Sequence, residues 1–136
     1  MVLYKLDEST TTGIPTIDSQ HKELFDRVNN LLMALTLAKG NEEVSNTVNF
    51  LESYIKVHLS TEEDFMIKNS YPGYPPHKAA HAVFTNNVLK LKKEFQERGA
   101  TSNLAVAAKD LVGDWFMNHI RTVDMQYVPF LKDKIK

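Results

Sequence analysis

YPPHKAAHAVF, residues 74–84, places two histidines four positions apart directly after a proline pair. Consecutive prolines cannot continue a helix but suit its first turn, where the missing N–H has no intrahelical partner anyway. A helix is therefore expected to open at about Pro76, with His77 and His81 on one face, roughly one turn apart. The same face continues through Phe84, Val88, Leu91 and Phe95. Both imidazoles thus extend an apolar stripe.

The same pattern recurs on both sides of this helix. Upstream, Leu24, Phe25, Val28, Leu31, Leu32 and Leu35 mark a first helix, with Asp18 as its expected N-cap and Lys39–Gly40 as its last turn and C′ glycine. Asn41 then caps a second helix, with Glu42 and Glu43 in its first turn and Val44, Val48, Leu51, Ile55, Phe65 and Met66 along its stripe. The third helix ends before Gly99. Thr101 or Ser102 caps a fourth, which carries Leu104, Ala108, Leu111, Val112 and Trp115. No β-type alternation, internal repeat or low-complexity linker interrupts the series. The expected fold is all-α, an antiparallel up-down-up-down four-helix bundle with an N-terminal arm. One domain spans 1–136, with the arm at about 1–17 and the bundle at about 18–131.

The remaining histidines fall on these stripes too. His58 and Glu62 continue Leu51 and Ile55 toward Met66, His119 follows Trp115 by four, and His21 precedes Leu24, Phe25 and Val28 at helical steps. All five histidines of the chain face inward. Direction adds a second constraint. His21 lies early in the first helix, His58 and Glu62 late in the second, His77 and His81 early in the third, and His119 late in the fourth. In an antiparallel bundle these are the same end of the molecule.

An ionised carboxylate is strongly penalised in a low-dielectric core, and clustered imidazoles each need a partner. Metal ions satisfy them together. The chain has no cysteine, which excludes disulfides, thiolate zinc sites and iron–sulfur clusters, so any metal is held by nitrogen and oxygen. Iron, zinc, copper, manganese and nickel all accept such ligands. Spacing alone does not decide the seventh ligand. Asp124 stands five residues past His119, about 140° around an ideal helix, and Asp114 is a rival. Glu63 similarly rivals Glu62. Seven ligands imply two ions, and bridging by both carboxylates and a shared oxo or hydroxo group leaves a single position open for a small exogenous ligand.

Composition narrows the remaining choices. A net charge of −1 and the absence of long like-charge runs give no reason to expect nucleic acid or an anionic membrane as partner. The longest mostly apolar run, LLMALTLA, is far too short to span a bilayer. MVLYKLDEST lacks the features of a secretory signal, so a cytoplasmic location is expected.

Four motifs together resemble the hemerythrin family, in its single-domain bacterial form: GIPTIDSQHKELF around His21, HLSTEEDFM from His58, YPPHKAAHAVF across His77 and His81, and WFMNHIRTVDMQY around His119. The resemblance runs from about Gly13 to Tyr127. It implies a four-helix bundle holding a non-haem di-iron centre that binds O2 reversibly. By position, one iron would take His77, His81 and His119, the other His21 and His58, with Glu62 and Asp124 bridging. O2 would bind at the iron with fewer histidines.

Two positions depart from the pattern: Tyr4, where bacterial members often have tryptophan, and Leu59, where an aromatic commonly follows the histidine. Neither is a ligand position. Phe25, Leu59, Trp115, Phe116 and Ile120 are the candidates for the apolar wall around O2. The expected role is storage, delivery or sensing of O2 rather than catalysis, with an unidentified protein recipient or redox partner. The alternative is a di-iron enzyme reducing peroxide or nitric oxide, for which Tyr54 and Tyr127 are the candidate donors.

Overall fold

The computed structural model describes residues 4–134. Three long helices, α1 (Pro15–Thr36), α2 (Asn41–Lys68) and α3 (Tyr74–Arg98), are followed by a fourth helical run over 102–131. No strand occurs among the described residues. Each helix packs on its sequence neighbour, and the fourth closes the bundle against α1 and α3. A 3-10 turn, Glu8–Thr10, lies in the arm that precedes α1.

Several helix ends differ from the expected ones. α1 begins at Pro15 rather than after Asp18, with Ile14 in the cap position and no side-chain cap. Asp18 instead reaches back to the arm, its carboxylate accepting from Thr12 N and Thr12 Oγ1 at 2.8 Å and from Gly13 N at 3.0 Å. α1 also stops at Thr36, short of Lys39–Gly40. Gly40, at φ 95°, caps α2, which leaves Asn41 inside the first turn. The Asn41 side chain is used elsewhere, accepting from Ala100 N at 3.0 Å. α3 opens two residues before Pro76, at Tyr74, and Gly99 closes it. Thr101 caps the fourth helix, accepting from Leu104 N.

The fourth helix is not uniform. α-Helical turns at Ser102–Ala107, Trp115–His119 and Met125–Leu131 alternate with π-helical segments at Ala108–Asp114 and Ile120–Asp124. A π segment closes i→i+5 hydrogen bonds, so residues five apart come onto one face.

Two apolar clusters sandwich a polar layer. The larger contains Leu24, Phe25, Leu59, Phe84, Phe116 and Ile120 among others, and the smaller contains Ile14, Ile17, Met66, Tyr127 and Leu131. Between them, in chain order, fall His21 on α1, Glu62 on α2 and Asp124 on the fourth helix. The layer lies near one end of the bundle, the end shared by the start of α1 and the end of α2.

Candidate metal centre

Seven buried side chains meet in this layer. Glu62, His77, His81, His119 and Asp124 form one group, while His21 and His58 form a second with the same two carboxylates. Within each group the candidate ligand atoms all lie within 4.8 Å of one another. Both carboxylates belong to both groups.

The oxygens divide accordingly. Glu62 Oε1 lies 2.9 Å from His77 Nε2 and 2.9 Å from His81 Nε2, whereas Glu62 Oε2 faces His58 Nε2 at 3.6 Å and His21 Nε2 at 3.9 Å. Asp124 Oδ1 stands 3.0 Å from both His77 Nε2 and His119 Nε2, and its Oδ2 turns to His21 Nε2 at 3.3 Å. Each carboxylate therefore points one oxygen at the three-histidine group and one at the two-histidine group.

Asp124 reaches this position because of the π segment Ile120–Asp124. The five-residue step from His119 would turn the carboxylate aside on an ideal α-helix, and the wider turn restores it to the same face. Asp114, its rival, is exposed and remote from the layer, where it accepts from Tyr4 Oη. Glu63 is not in either group; it backs His81, whose Nδ1–H donates to Glu63 Oε2 at 2.8 Å.

Much of this polar layer is left without partners. His21 Nδ1 and Nε2, His58 Nε2, His77 Nδ1, His119 Nε2 and both Asp124 oxygens are buried with no hydrogen bond. Several of these atoms are within hydrogen-bond distance, yet their directions do not serve one another. Buried polar groups are overwhelmingly satisfied in folded proteins. A convergent set of orphaned imidazole nitrogens and carboxylate oxygens fits divalent metal ions of intermediate softness.

Protonation supports the same division. Burial is the largest influence on His58 and pushes its imidazole down to about 4, so that it is neutral and ligand-ready. Burial also opposes charge on His77, but Asp124 and Glu62 outweigh it and lift that imidazole to about 9. Glu62 is desolvated and beside Asp124, both of which raise it, yet His58, His77 and His81 hold it down to about 2. Asp124 is likewise desolvated and held well below the usual range by His119, His21 and His77. In the absence of metal, protons on His77 and His81 compensate the two carboxylates.

Two further side chains support the layer, one not expected from the sequence and one expected as a donor. Gln20 accepts from His58 Nδ1–H at 2.9 Å, which presents Nε2 to the layer. Its position next to His21 was the available signal, since ligating imidazoles need an acceptor on their far nitrogen. Tyr127 donates to Glu62 Oε2 at 2.8 Å and stacks on His77. Tyr54 lies under the Arg27 guanidinium, away from the layer.

The five candidates for the apolar wall divide by location. The Phe116 ring contacts those of His21 and His58, and Phe25 stacks on Phe116. Leu59 and Ile120 are buried in the same cluster. Trp115 stands on the other side, stacked on His119 at 4.9 Å and on Phe84. A surface groove of about 640 Å3, lined by Arg27, Met33 and Phe50 among others, includes none of the clustered ligands.

Comparison with known proteins shows the family and the fold. The family model of the hemerythrin HHE cation binding domain matches residues 12–131. A myohemerythrin of Sipunculus nudus is 32% identical over 91% of this chain and 90% of its own length. A bacteriohemerythrin of Methylococcus capsulatus is 36% identical over 88% of this chain and 89% of its own. The crystal structure of a wild-type hemerythrin superposes with a TM-score of 0.81 at 32% identity, covering 96% of this chain and 99% of that one. On fold, motif set and sequence alike, the chain belongs to the hemerythrin family.

Proposed function

We propose that this chain is an O2-binding protein with a non-haem di-iron centre, serving O2 storage, delivery or sensing in the cytoplasm as a single domain with an arm. His77, His81 and His119 would hold one iron, His21 and His58 the other, and Glu62 and Asp124 would bridge them alongside an oxo or hydroxo group. The observation that carries this reading is the division of the carboxylate oxygens, one toward each histidine group.

When bound, the iron pair would supply the two electrons that O2 takes up on binding and returns on release. The protein's own part is positioning and exclusion. Gln20 and Glu63 fix the far nitrogens of His58 and His81. Tyr127 holds Glu62 through its phenol O–H. Phe25, Phe116, Leu59 and Ile120 make the two-histidine side apolar, keeping water and its protons away from the site of O2 binding. The five histidines of the chain all belong to the two ligand groups, which leaves no spare imidazole there to deliver protons. This favours reversible binding over turnover. No helix among the described residues is long and apolar enough to cross a membrane.

The test is stoichiometry. Iron-loaded protein is expected to hold two irons per chain and to take up one O2 per iron pair, released again under argon. One iron per chain, or O2 consumed without release, contradicts the proposal.

A further inference from the structure

Tyr4 occupies a built niche outside the metal layer. Its backbone is pinned to α1 by two reciprocal hydrogen bonds, Tyr4 N to Asn29 Oδ1 at 2.8 Å and Asn29 Nδ2 to Tyr4 O at 2.9 Å. Gly113 leaves room for the ring, since a Cβ there would lie 2.2 Å from Tyr4 Cζ. The phenol O–H points to Asp114 Oδ1 at 2.6 Å, with Lys109 O at 3.2 Å. Inward, the Tyr4 ring stacks on Phe25 at 5.6 Å, Phe25 on Phe116 at 5.5 Å, and Phe116 meets His21 at 5.4 Å and His58 at 5.5 Å. A continuous file of rings thus joins a half-buried phenol to the two-histidine side of the layer.

We propose that Tyr4 is a redox-active tyrosine, giving up an electron along the Phe25–Phe116 file and its proton to Asp114, so that oxidising equivalents leave the centre for the protein surface. The inference rests on the di-iron reading. The oxidant is hydrogen peroxide, the by-product whenever bound O2 departs as peroxide. Peroxide takes two electrons and two protons to give two waters. At a centre with only one electron left to give, the second comes from Tyr4. The phenol loses an electron inward and its O–H proton to the Asp114 carboxylate, leaving a neutral phenoxyl radical and a carboxylic acid, while the two protons for water come from solvent. An external one-electron donor such as a thiol then restores the phenol.

A tyrosine is readily oxidised only when its proton has somewhere to go, and this distinguishes Tyr4 from its rival. Tyr127 is nearer the layer, but its acceptor is Glu62, a carboxylate that belongs to both ligand groups and is buried away from the water that would carry a proton off. Asp114 is exposed and can pass the proton on to water. Burial and the Asp114 carboxylate raise the Tyr4 phenol above its ordinary range, which keeps the resting side chain neutral.

The experiment mixes iron-loaded, one-electron-oxidised protein with hydrogen peroxide, freezes it at intervals and records electron paramagnetic resonance. A phenoxyl signal is expected that narrows when the protein carries ring-deuterated tyrosine and is lost in Tyr4→Phe, with iron content and the O2 cycle of that variant unchanged. Asp114→Asn, which keeps the ring in place, is expected to slow radical formation severalfold. Absence of a radical in the wild-type protein overturns the proposal, as does a signal that survives Tyr4→Phe and vanishes in Tyr127→Phe, or one insensitive to tyrosine deuteration and lost in Trp115→Phe. Iron content and O2 release, measured on the same samples, separate this failure from failure of the O2-binding reading: a chain that cycles O2 without forming the radical refutes only the relay.

Discussion

An imidazole ligand has two nitrogens, and the one that does not face the metal decides how the other is presented. His58 has Gln20 behind it and His81 has Glu63. Gln20→Leu removes the acceptor without touching a ligand. It is expected to lower iron affinity by about 10- to 100-fold, measured by competition with a chromophoric chelator, while the helical content by circular dichroism stays unchanged. Protonation in the metal-free chain follows from the same contacts. His77 binds its proton more tightly folded than unfolded, being lifted from 6.5 to about 9, so its contribution is present at low pH and lost as pH rises toward 9. His58 is depressed from 6.5 to about 4, so the unfolded chain binds more protons there and stability falls as pH drops from 6.5 toward 4. The metal-free protein is therefore expected to be most stable near pH 6.5, as read from urea midpoints across pH. Iron ligation would replace both protonation equilibria and flatten the profile between those limits.

At the scale of the element, the fourth helix shows where sequence stops being a sufficient guide. His21, His58, Glu62, His77, His81 and His119 could all be placed from the 3.6-residue period, because α1, α2 and α3 are regular and His119 lies on an α-helical turn. Asp124 could not, since the period itself changes at Ile120–Asp124 and nothing in IRTVD announces a π segment. Only resemblance to a family singled it out beforehand. The start of α1 departs from expectation for a related reason. Asp18 has the chemistry of an N-cap, but Pro15 already fixes the first turn, and the carboxylate serves the arm instead. Asp18→Ala removes three hydrogen bonds to a charged group and is expected to cost about 2 kcal/mol of stability, measured by urea unfolding of the iron-loaded protein. A loss below a few tenths would mean that water replaces the carboxylate freely.

For the whole molecule, the metal layer lies between two apolar clusters and contains buried carboxylates and imidazoles whose polar atoms are largely orphaned. Such a layer opposes folding when it is empty and supports it when ligated. Chelation of iron is expected to lower stability by about 4 kcal/mol at metal concentrations a thousandfold above the dissociation constant, seen as a fall in the thermal midpoint. The helices should persist, because the larger cluster, from Leu24 to Ile120, does not depend on the metal for its packing.

The most direct test of the central claim is an absorption spectrum followed through one cycle, with iron-loaded protein reduced without air, exposed to air, then returned to argon. The account predicts a visible charge-transfer band that appears with O2, disappears on its removal and returns on a second exposure. A band that stays after O2 is removed, or no band from a protein holding two irons, would contradict reversible O2 binding at this centre.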